Sequence, residues 1–183
     1  GRAFSLAYSA GEEVLAIQKA ALAGWHSTNA LNTDAFPSLK RLQSDVIGPV
    51  ATLFHGGPDA VGVFTSGGTE SILTSVKGAR ERAHANGNDA PQMVLPTTAH
   101  AAFSKAAKYF GIETIRVPVG DDYRADTDAM AAAVTDRTAL LVASAPTYPQ
   151  GVIDPIGEIG ALAADRDVMF HVDSCMGFTL PWL

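Results

Sequence analysis

The sequence has little that would suit it to a nucleic acid, a membrane interior or an oxidising compartment. Only 17% of its 183 residues are charged, and its net charge of -6 comes without a run of lysines and arginines, which argues against a nucleic-acid partner. Its apolar runs fall far short of the ~20 residues that span a bilayer. Its single cysteine, Cys175, excludes an internal disulfide. We therefore expect a cytoplasmic protein with no membrane-spanning segment and no nucleic-acid partner.

Common cofactor motifs are also missing. Neither G-x-G-x-x-G nor the P-loop pattern G-x-x-x-x-G-K occurs, so a nicotinamide-binding Rossmann domain remains only a weak alternative. The histidines do not have the spacing of zinc ligands, and we expect no metal site. They are His26, His55, His84, His100 and His171.

The first part of the chain predicts two helices. One runs from Glu12 to Gly24, and the second runs from Pro37 or Ser38 to about His55. Pro49 is expected to kink or break the second helix. The apolar residues at helical spacing predict its buried side. They are Leu39, Leu42, Val46 and Val50.

Short apolar runs alternate with helical patterns along the rest of the chain. The runs at 93–95, 112–117, 138–144 and 168–173 predict buried strands, with a helix between each pair. Continuous apolar strands of this kind belong to parallel sheets that are covered on both faces. We predict an α/β fold with a mostly parallel sheet flanked by helices.

The central motif is Ser66-Gly67-Gly68-Thr69. It follows the apolar run 61–64 and precedes a helical pattern, which predicts a strand that turns through two glycines into a helix. The free N–H groups of a helix start bind anions, most often phosphate, and the hydroxyls of Ser66 and Thr69 add donors. An ordinary turn with a threonine cap explains the same residues.

Polar residues follow several of the predicted strands, where ligands gather in open α/β sheets. Asp173 is a candidate partner for a protonated ring nitrogen or a metal, or a turn former. His100 is a candidate aromatic lid, acid–base group or helix cap. We expect Cys175 to be a small buried residue and His171 to be a packed side chain.

Together these stretches resemble the large domain of a fold-type I pyridoxal-phosphate enzyme of the group II decarboxylase superfamily. They are most similar to the sphingosine-1-phosphate lyase family. The resemblance lies in the ordered stretches 64–73, 100–107, 144–154 and 171–177, with a further similar segment at 29–39.

The resemblance implies a role for each matching cofactor residue. Gly67, Gly68 and Thr69 would hold the cofactor phosphate, beside Ser66. His100 would stack on the pyridine ring. Asp173 would pair with the pyridinium nitrogen, so that the ring accepts electrons from the substrate. His100 and Asp173 are thus the expected catalytic residues, and Ser144 and Thr147 would line the cofactor.

Substrate recognition is implied less directly. Asn29 and Asn32 are the expected substrate-binding residues, in a homodimer whose active sites are shared between two subunits. Asn32 and Gln150 stand where the lyases usually have histidine. These two departures argue against a phosphorylated sphingoid substrate, and we expect a small-molecule amine or amino-acid substrate.

The resemblance also implies a longer enzyme. The Schiff-base lysine of the family is expected some tens of residues after the aspartate, but this chain ends at Leu183. We predict an N-terminal helical segment (1–55) at the dimer interface and a pyridoxal-phosphate-binding large domain (56–183) that stops before that lysine. The predicted activity is that of a carbon–carbon lyase, either an aldehyde lyase or an amino-acid decarboxylase. The alternative from another class is a non-catalytic domain that binds a phosphorylated ligand.

Overall fold

The computed structural model describes residues 9–148 and 150–177. The chain divides into two compact units, unit 1 (1–63) and unit 2 (64–183). No helix in these described ranges is long and apolar enough to cross a membrane. The elements are α1 (Glu12–Trp25), α2 (Pro37–Leu53), α3 (Gly68–Ala85), β1 (Gln92–Pro96), α4 (Ala101–Phe110), β2 (Glu113–Val117), α5 (Thr127–Ala133), β3 (Thr138–Ser144), α6 (Ile156–Asp165) and β4 (Met169–Asp173).

Unit 1 contains the two predicted helices. Helix α1 has Glu12 and Glu13 in its first turn, where carboxylates complement the helix dipole. Helix α2 begins at Pro37, a residue suited to the first helical position. Pro49 lies inside α2 without ending it, so the predicted break is absent and one backbone hydrogen bond is lost instead.

The burial predicted for α2 is wrong. None of residues 9–63 is buried. Leu42 and Val46 on the apolar side of α2 are 44% and 51% exposed. Helical spacing creates an apolar stripe, but the stripe is buried only where another element packs on it.

Unit 2 is built on a four-stranded parallel sheet with the strand order β2-β1-β3-β4. Helices α3 and α4 pack on one face around Phe103 and Ile72. Helices α5 and α6 pack on the other face around Met130 and Ile159. The predicted α/β fold with a parallel sheet covered on both faces is therefore confirmed.

Alternation along the strands decides which side chains face which helices. In β3, Leu140 and Val142 belong to the α3–α4 core and Leu141 to the α5–α6 core. By the same period of two, Ser144 lies on the α3–α4 face. In β4, Met169 packs against the α3–α4 core, so His171 and Asp173 share its face.

The predicted strand at 61–64 is wrong. These residues form neither helix nor strand. Val61 and Val63 are 93% and 74% exposed. An apolar run becomes a strand only when a neighbouring strand accepts its backbone hydrogen bonds, and no described strand pairs with this one.

Candidate functional site

The ends of β3 and β4 bring two predicted site residues side by side. Ser144 is the register partner of Asp173 in the parallel ladder. Just beyond them, the N–H group of Ala145 donates to the Asp173 carbonyl oxygen at 2.9 Å. The Ser174 hydroxyl donates back to the Ala145 carbonyl oxygen, also at 2.9 Å. These bonds fix the Asp173 backbone at the carboxyl edge of the sheet.

The predicted anion cradle lies at the start of α3. Gly67 is the N-cap residue with φ +155°, and no side chain caps the helix. The predicted turn with a threonine cap is therefore not what forms. Because Gly68 and Thr69 lie in the first turn, their N–H groups have no intrahelical acceptor.

Side chains around this helix start fix its entry. The Thr65 and Ser71 hydroxyls share a hydrogen bond of 2.7 Å. The Ser66 N–H group donates to Glu70 Oε2 at 2.5 Å. The hydrogen bonds from Ser66 lower the pKa of Glu70, because they stabilise its charged form. The Glu70 carboxylate thus already uses one donor beside the cradle.

The cradle and Asp173 approach each other through Cys175. A Cβ atom at Gly68 would lie 2.5 Å from the Cys175 Sγ atom, so only glycine fits there without a shift. The Cys175 N–H group donates to Asp173 Oδ1 at 3.1 Å. One residue therefore touches both the helix start and the carboxylate.

Cys175 itself differs from its prediction. It is exposed, because it lies in the turn that follows β4. Partial burial of its thiol and a hydrogen bond with Asp173 raise the pKa of Cys175 to about 11. The thiol is thus protonated at neutral pH and is no nucleophile.

His100 lies at the start of α4, the helix that follows β1. It is the N-cap residue, and its Nδ1 atom accepts a hydrogen bond from the Ala102 N–H group at 3.1 Å. An accepting Nδ1 leaves the proton of a neutral imidazole on Nε2. The residue is exposed, so the capping role leaves the ring free for a planar ligand at the same edge of the sheet.

Thr147 lies in the proline-rich loop after β3. It is 1% exposed, and within the described residues its Oγ1 atom has no hydrogen-bond partner. The loop is closed by the bonds from the Thr147 N–H to the Val152 carbonyl oxygen at 2.7 Å and from the Gly151 N–H to the Thr147 carbonyl oxygen at 2.8 Å. A buried hydroxyl without a partner is costly, so Thr147 is a candidate for contact with a bound molecule.

Asp154 lies at the end of that loop, within the stretch 144–154 that resembles the lyase family, and the resemblance implies no role for it. It is 2% exposed. Its carboxylate accepts from the N–H groups of Ser144 at 2.7 Å and Ala125 at 2.9 Å. Burial raises the pKa of Asp154 despite these two donors. The signal available in the sequence was an aspartate between two apolar residues and a proline.

The predicted substrate residues lie in unit 1. The Asn29 Oδ1 atom accepts from the Leu31 N–H group at 2.9 Å, and the Asn32 Oδ1 atom accepts from the Ala35 N–H group at 3.0 Å. Both side chains thus stabilise local turns. Their substrate contacts remain a prediction.

One described cavity lies elsewhere. It encloses about 230 Å³ at the opposite, amino end of the sheet, where its lining includes Thr138 and Met169. None of the predicted cofactor residues lines it. The predicted cofactor residues are therefore judged from the contacts of their own side chains.

Known proteins have sequences similar to this one. The chain matches the aminotransferase class-V family over residues 40–179. It is 42% identical over 177 residues to sphingosine-1-phosphate lyase 1 of Rattus norvegicus, covering 97% of this chain and 31% of that protein. It is 43% identical over 162 residues to sphingosine-1-phosphate lyase of Arabidopsis thaliana, covering 85% and 30%. The chain thus spans about a third of the length of these relatives.

Solved structures of similar proteins superpose on this chain. Sphingosine-1-phosphate lyase of Burkholderia pseudomallei superposes with a TM-score of 0.91 at 38% identity, covering 96% of this chain and 42% of that chain. Glutamate decarboxylase of Lactobacillus brevis superposes with a TM-score of 0.76 at 24% identity, covering 93% and 42%. The second likeness shows the fold alone. The predicted resemblance is confirmed.

Proposed function

The chain belongs to the aminotransferase class-V family, and on that premise we propose that it is the cofactor-binding part of a pyridoxal-phosphate-dependent carbon–carbon lyase. One observation carries the proposal. Cys175 touches Gly68 of the anion cradle and donates to Asp173. These contacts support a phosphate site at the cradle and a ring-nitrogen partner at Asp173, within the reach of one small cofactor.

The residues present fit the phosphate end of the cofactor. The first-turn N–H groups of α3 point out of a helix start that no side chain caps. A phosphate there gains from both the free donors and the helix dipole. The hydroxyls of Ser66 and Thr69 are exposed at the same place. Gly67 and Gly68 keep the backbone accessible.

The residues also fit the ring end. Asp173 is half-buried, and its carboxylate would hold a proton on the ring nitrogen. When bound, the cofactor withdraws electrons from the substrate Cα atom. The exposed His100 imidazole would cover one ring face. Ser144 and Thr147 would line the cofactor, and the Thr147 hydroxyl lacks another partner among the described residues.

For the substrate we propose a small amine or amino acid. Asn29 and Asn32 would bind it. The sphingosine-1-phosphate lyases among the relatives favour an aldehyde lyase over an amino-acid decarboxylase. Assaying the intact protein for aldehyde against carbon dioxide release separates the two.

The assembly is a further part of the proposal. We propose a cytoplasmic homodimer with shared active sites, in which the helical segment 1–55 lies at the interface and 56–183 forms the cofactor-binding domain. The exposed apolar side chains of unit 1 support it, among them Ile17 at 68% and Leu22 at 73%. The single cysteine suits a reducing compartment.

The test is the visible absorbance that the intact protein retains after pyridoxal phosphate is added and the unbound cofactor is removed. We expect Asp173→Asn to weaken cofactor binding about 10- to 100-fold, because a hydrogen bond to a charged group is lost. Asp128→Asn, an exposed aspartate in α5, is the matched control. Wild-type protein that shows no cofactor absorbance would rule the proposal out. Cofactor binding without any product would favour the non-catalytic phosphate-binding alternative.

A further inference from the structure

Asp154 stands where β3 loses its neighbour in the sheet. The register of β1 against β3 ends at Val94 and Leu141. The Ala145 N–H group bonds to β4, so the backbone groups of the preceding residue, Ser144, face the side that β1 has left. Without another partner, these groups would be buried and unsatisfied.

Asp154 satisfies both of them. Its Oδ2 atom accepts from the Ser144 N–H group at 2.7 Å. Its own N–H group donates to the Ser144 carbonyl oxygen at 3.0 Å. A single residue thus replaces the missing strand and ties the backbone at 154 to the end of β3.

The site requires a carboxylate rather than an amide. The second oxygen, Oδ1, accepts from the Ala125 N–H group at 2.9 Å, which ties in the turn before α5. Both partners of the side chain are donors. Asparagine offers one acceptor oxygen and would face the other N–H group with its own NH₂ group.

The contacts continue to the candidate active site. Ser144 is in register with Asp173, and the next residue, Ala145, donates to the Asp173 carbonyl oxygen. The Ala145 carbonyl oxygen in turn receives the Ser174 hydroxyl at 2.9 Å. Asp154 therefore holds Ser144, and the next residue, Ala145, holds the backbone of Asp173.

We propose that Asp154 is a positioning residue for Asp173, which it serves by holding Ser144 and Ala145 at the end of β3 through its buried carboxylate. The inference rests on the proposed function in one step, namely that Asp173 faces the cofactor ring. It does not require Asp154 to touch the cofactor or the substrate.

The hydrogen bonds of the Asp154 carboxylate are expected to depend on pH. Burial raises the pKa of Asp154, Arg124 opposes that shift, and Asp122 adds to it. Both residues lie in the turn before α5; on α6, the Glu158 carboxylate accepts from Thr127. As pH falls through the pKa of Asp154, its carboxylate gains a proton and loses acceptor strength toward the two N–H groups.

The first experiment measures hydrogen exchange in the cofactor-free intact protein. Asp154→Asn should speed exchange at Ser144 or Ala125 at least about tenfold, because both N–H groups lose a charged acceptor and one of them then faces the asparagine NH₂ group. Asp126→Asn is the matched control, since Asp126 caps α5 through one exposed bond to Ala129 and asparagine caps equally well. Unchanged exchange at both amides in Asp154→Asn would overturn the proposal.

If Asp154→Asn does not fold, the wild-type protein carries the test. After correction for intrinsic rates, protection at Ser144 and Ala125 should fall together as pH is lowered through the pKa of Asp154, ahead of Val142 in mid-strand. Protection that follows Val142 throughout would contradict the proposal.

The second experiment concerns the bound cofactor. In Asp154→Asn, the absorbance of added pyridoxal phosphate should titrate at a different pH from wild type, because Asp173 no longer holds the ring nitrogen as well. An unchanged titration overturns the link to Asp173. Wild-type protein without cofactor absorbance defeats the proposed function instead, and the exchange experiment then decides whether Asp154 holds the end of β3.

Discussion

The helices of unit 1 and those of unit 2 both have apolar residues at helical spacing, but only those of unit 2 bury them. In α1 and α2 no residue is buried. In α3, by contrast, Ile72 and Val76 are 1% and 0% exposed, and they pack on the face of the sheet. The difference arises because a sheet offers a wide apolar surface, whereas a helix on its own offers only a stripe.

The comparison separates two sources of stability. Unit 2 buries its apolar side chains within its own fold, on both faces of β1 and β3. Unit 1 presents them to its surroundings, and exposed apolar patches of this kind mark interaction sites. We therefore expect core substitutions to unfold the protein and substitutions in unit 1 to change its association.

The largest effect is expected in the core of unit 2. Phe103 is 0% exposed and packs in a T-shaped arrangement with the His171 ring, with a centroid distance of 5.7 Å. Phe103→Ala should lower the free energy of unfolding by about 3–5 kcal/mol, through lost burial and a cavity. Denaturant unfolding of the intact protein measures it. Tyr109→Ala, on the same helix but 65% exposed, should change little; equal losses would refute the assignment of the core.

A smaller effect is expected from pH. Burial lowers the pKa of His171 from 6.5, and the nearby Asp173 opposes that shift. Below pH 6.5 the unfolded chain therefore binds a proton at His171 that the folded chain does not. The stability that neutral His171 contributes above pH 6.5 is consequently lost as pH falls toward the pKa of His171 in the folded chain. His171→Gln should flatten this part of the stability profile in denaturant unfolding. A His171→Gln profile that is as steep below pH 6.5 as the wild-type profile would contradict the prediction.

The smallest effect on stability is expected in unit 1. Ile17→Ser or Leu22→Ser should change the free energy of unfolding of the separated subunit by no more than about 0.5 kcal/mol, because neither side chain is buried. The proposed dimer should nevertheless dissociate at higher protein concentration than wild type in analytical ultracentrifugation. Lys19→Ser on the same helix is the control. Dissociation unchanged by both apolar variants would exclude α1 from the interface.

Much of the fold could be predicted from the sequence. Each strand of unit 2 begins and ends within one residue of its predicted bounds. Strands β2 and β4, for example, begin at Glu113 and Met169, each one residue later than predicted. Their apolar runs are long enough, and their turns clear enough, for local pattern to decide. Local sequence also explains the cap of α5, since aspartate is a favoured N-cap residue and the Asp126 Oδ1 atom accepts from the Ala129 N–H group at 2.9 Å.

The site could be predicted only in part. Ser144 and Asp173 share one edge because parallel strands end on the same side, whereas the Gly67–Gly68 turn meets that edge through the contact of Gly68 with Cys175. The exposure of Cys175 and the bonds of Asp154 could not be predicted, since both depend on contacts between residues far apart in the chain. The strand expected at 61–64 failed for the same reason, because pairing requires a partner.

The sequence by itself determined the alternation of strands and helices, the parallel sheet and the edge at which polar residues gather. These follow from the periodicity of apolar residues and from chain direction, which are local properties. Only the tertiary structure decided which apolar stripes are buried, that Cys175 joins the cradle to Asp173, and that Asp154 replaces a strand beside Ser144. Those outcomes depend on which distant backbone groups and surfaces meet, and no local pattern contains that information.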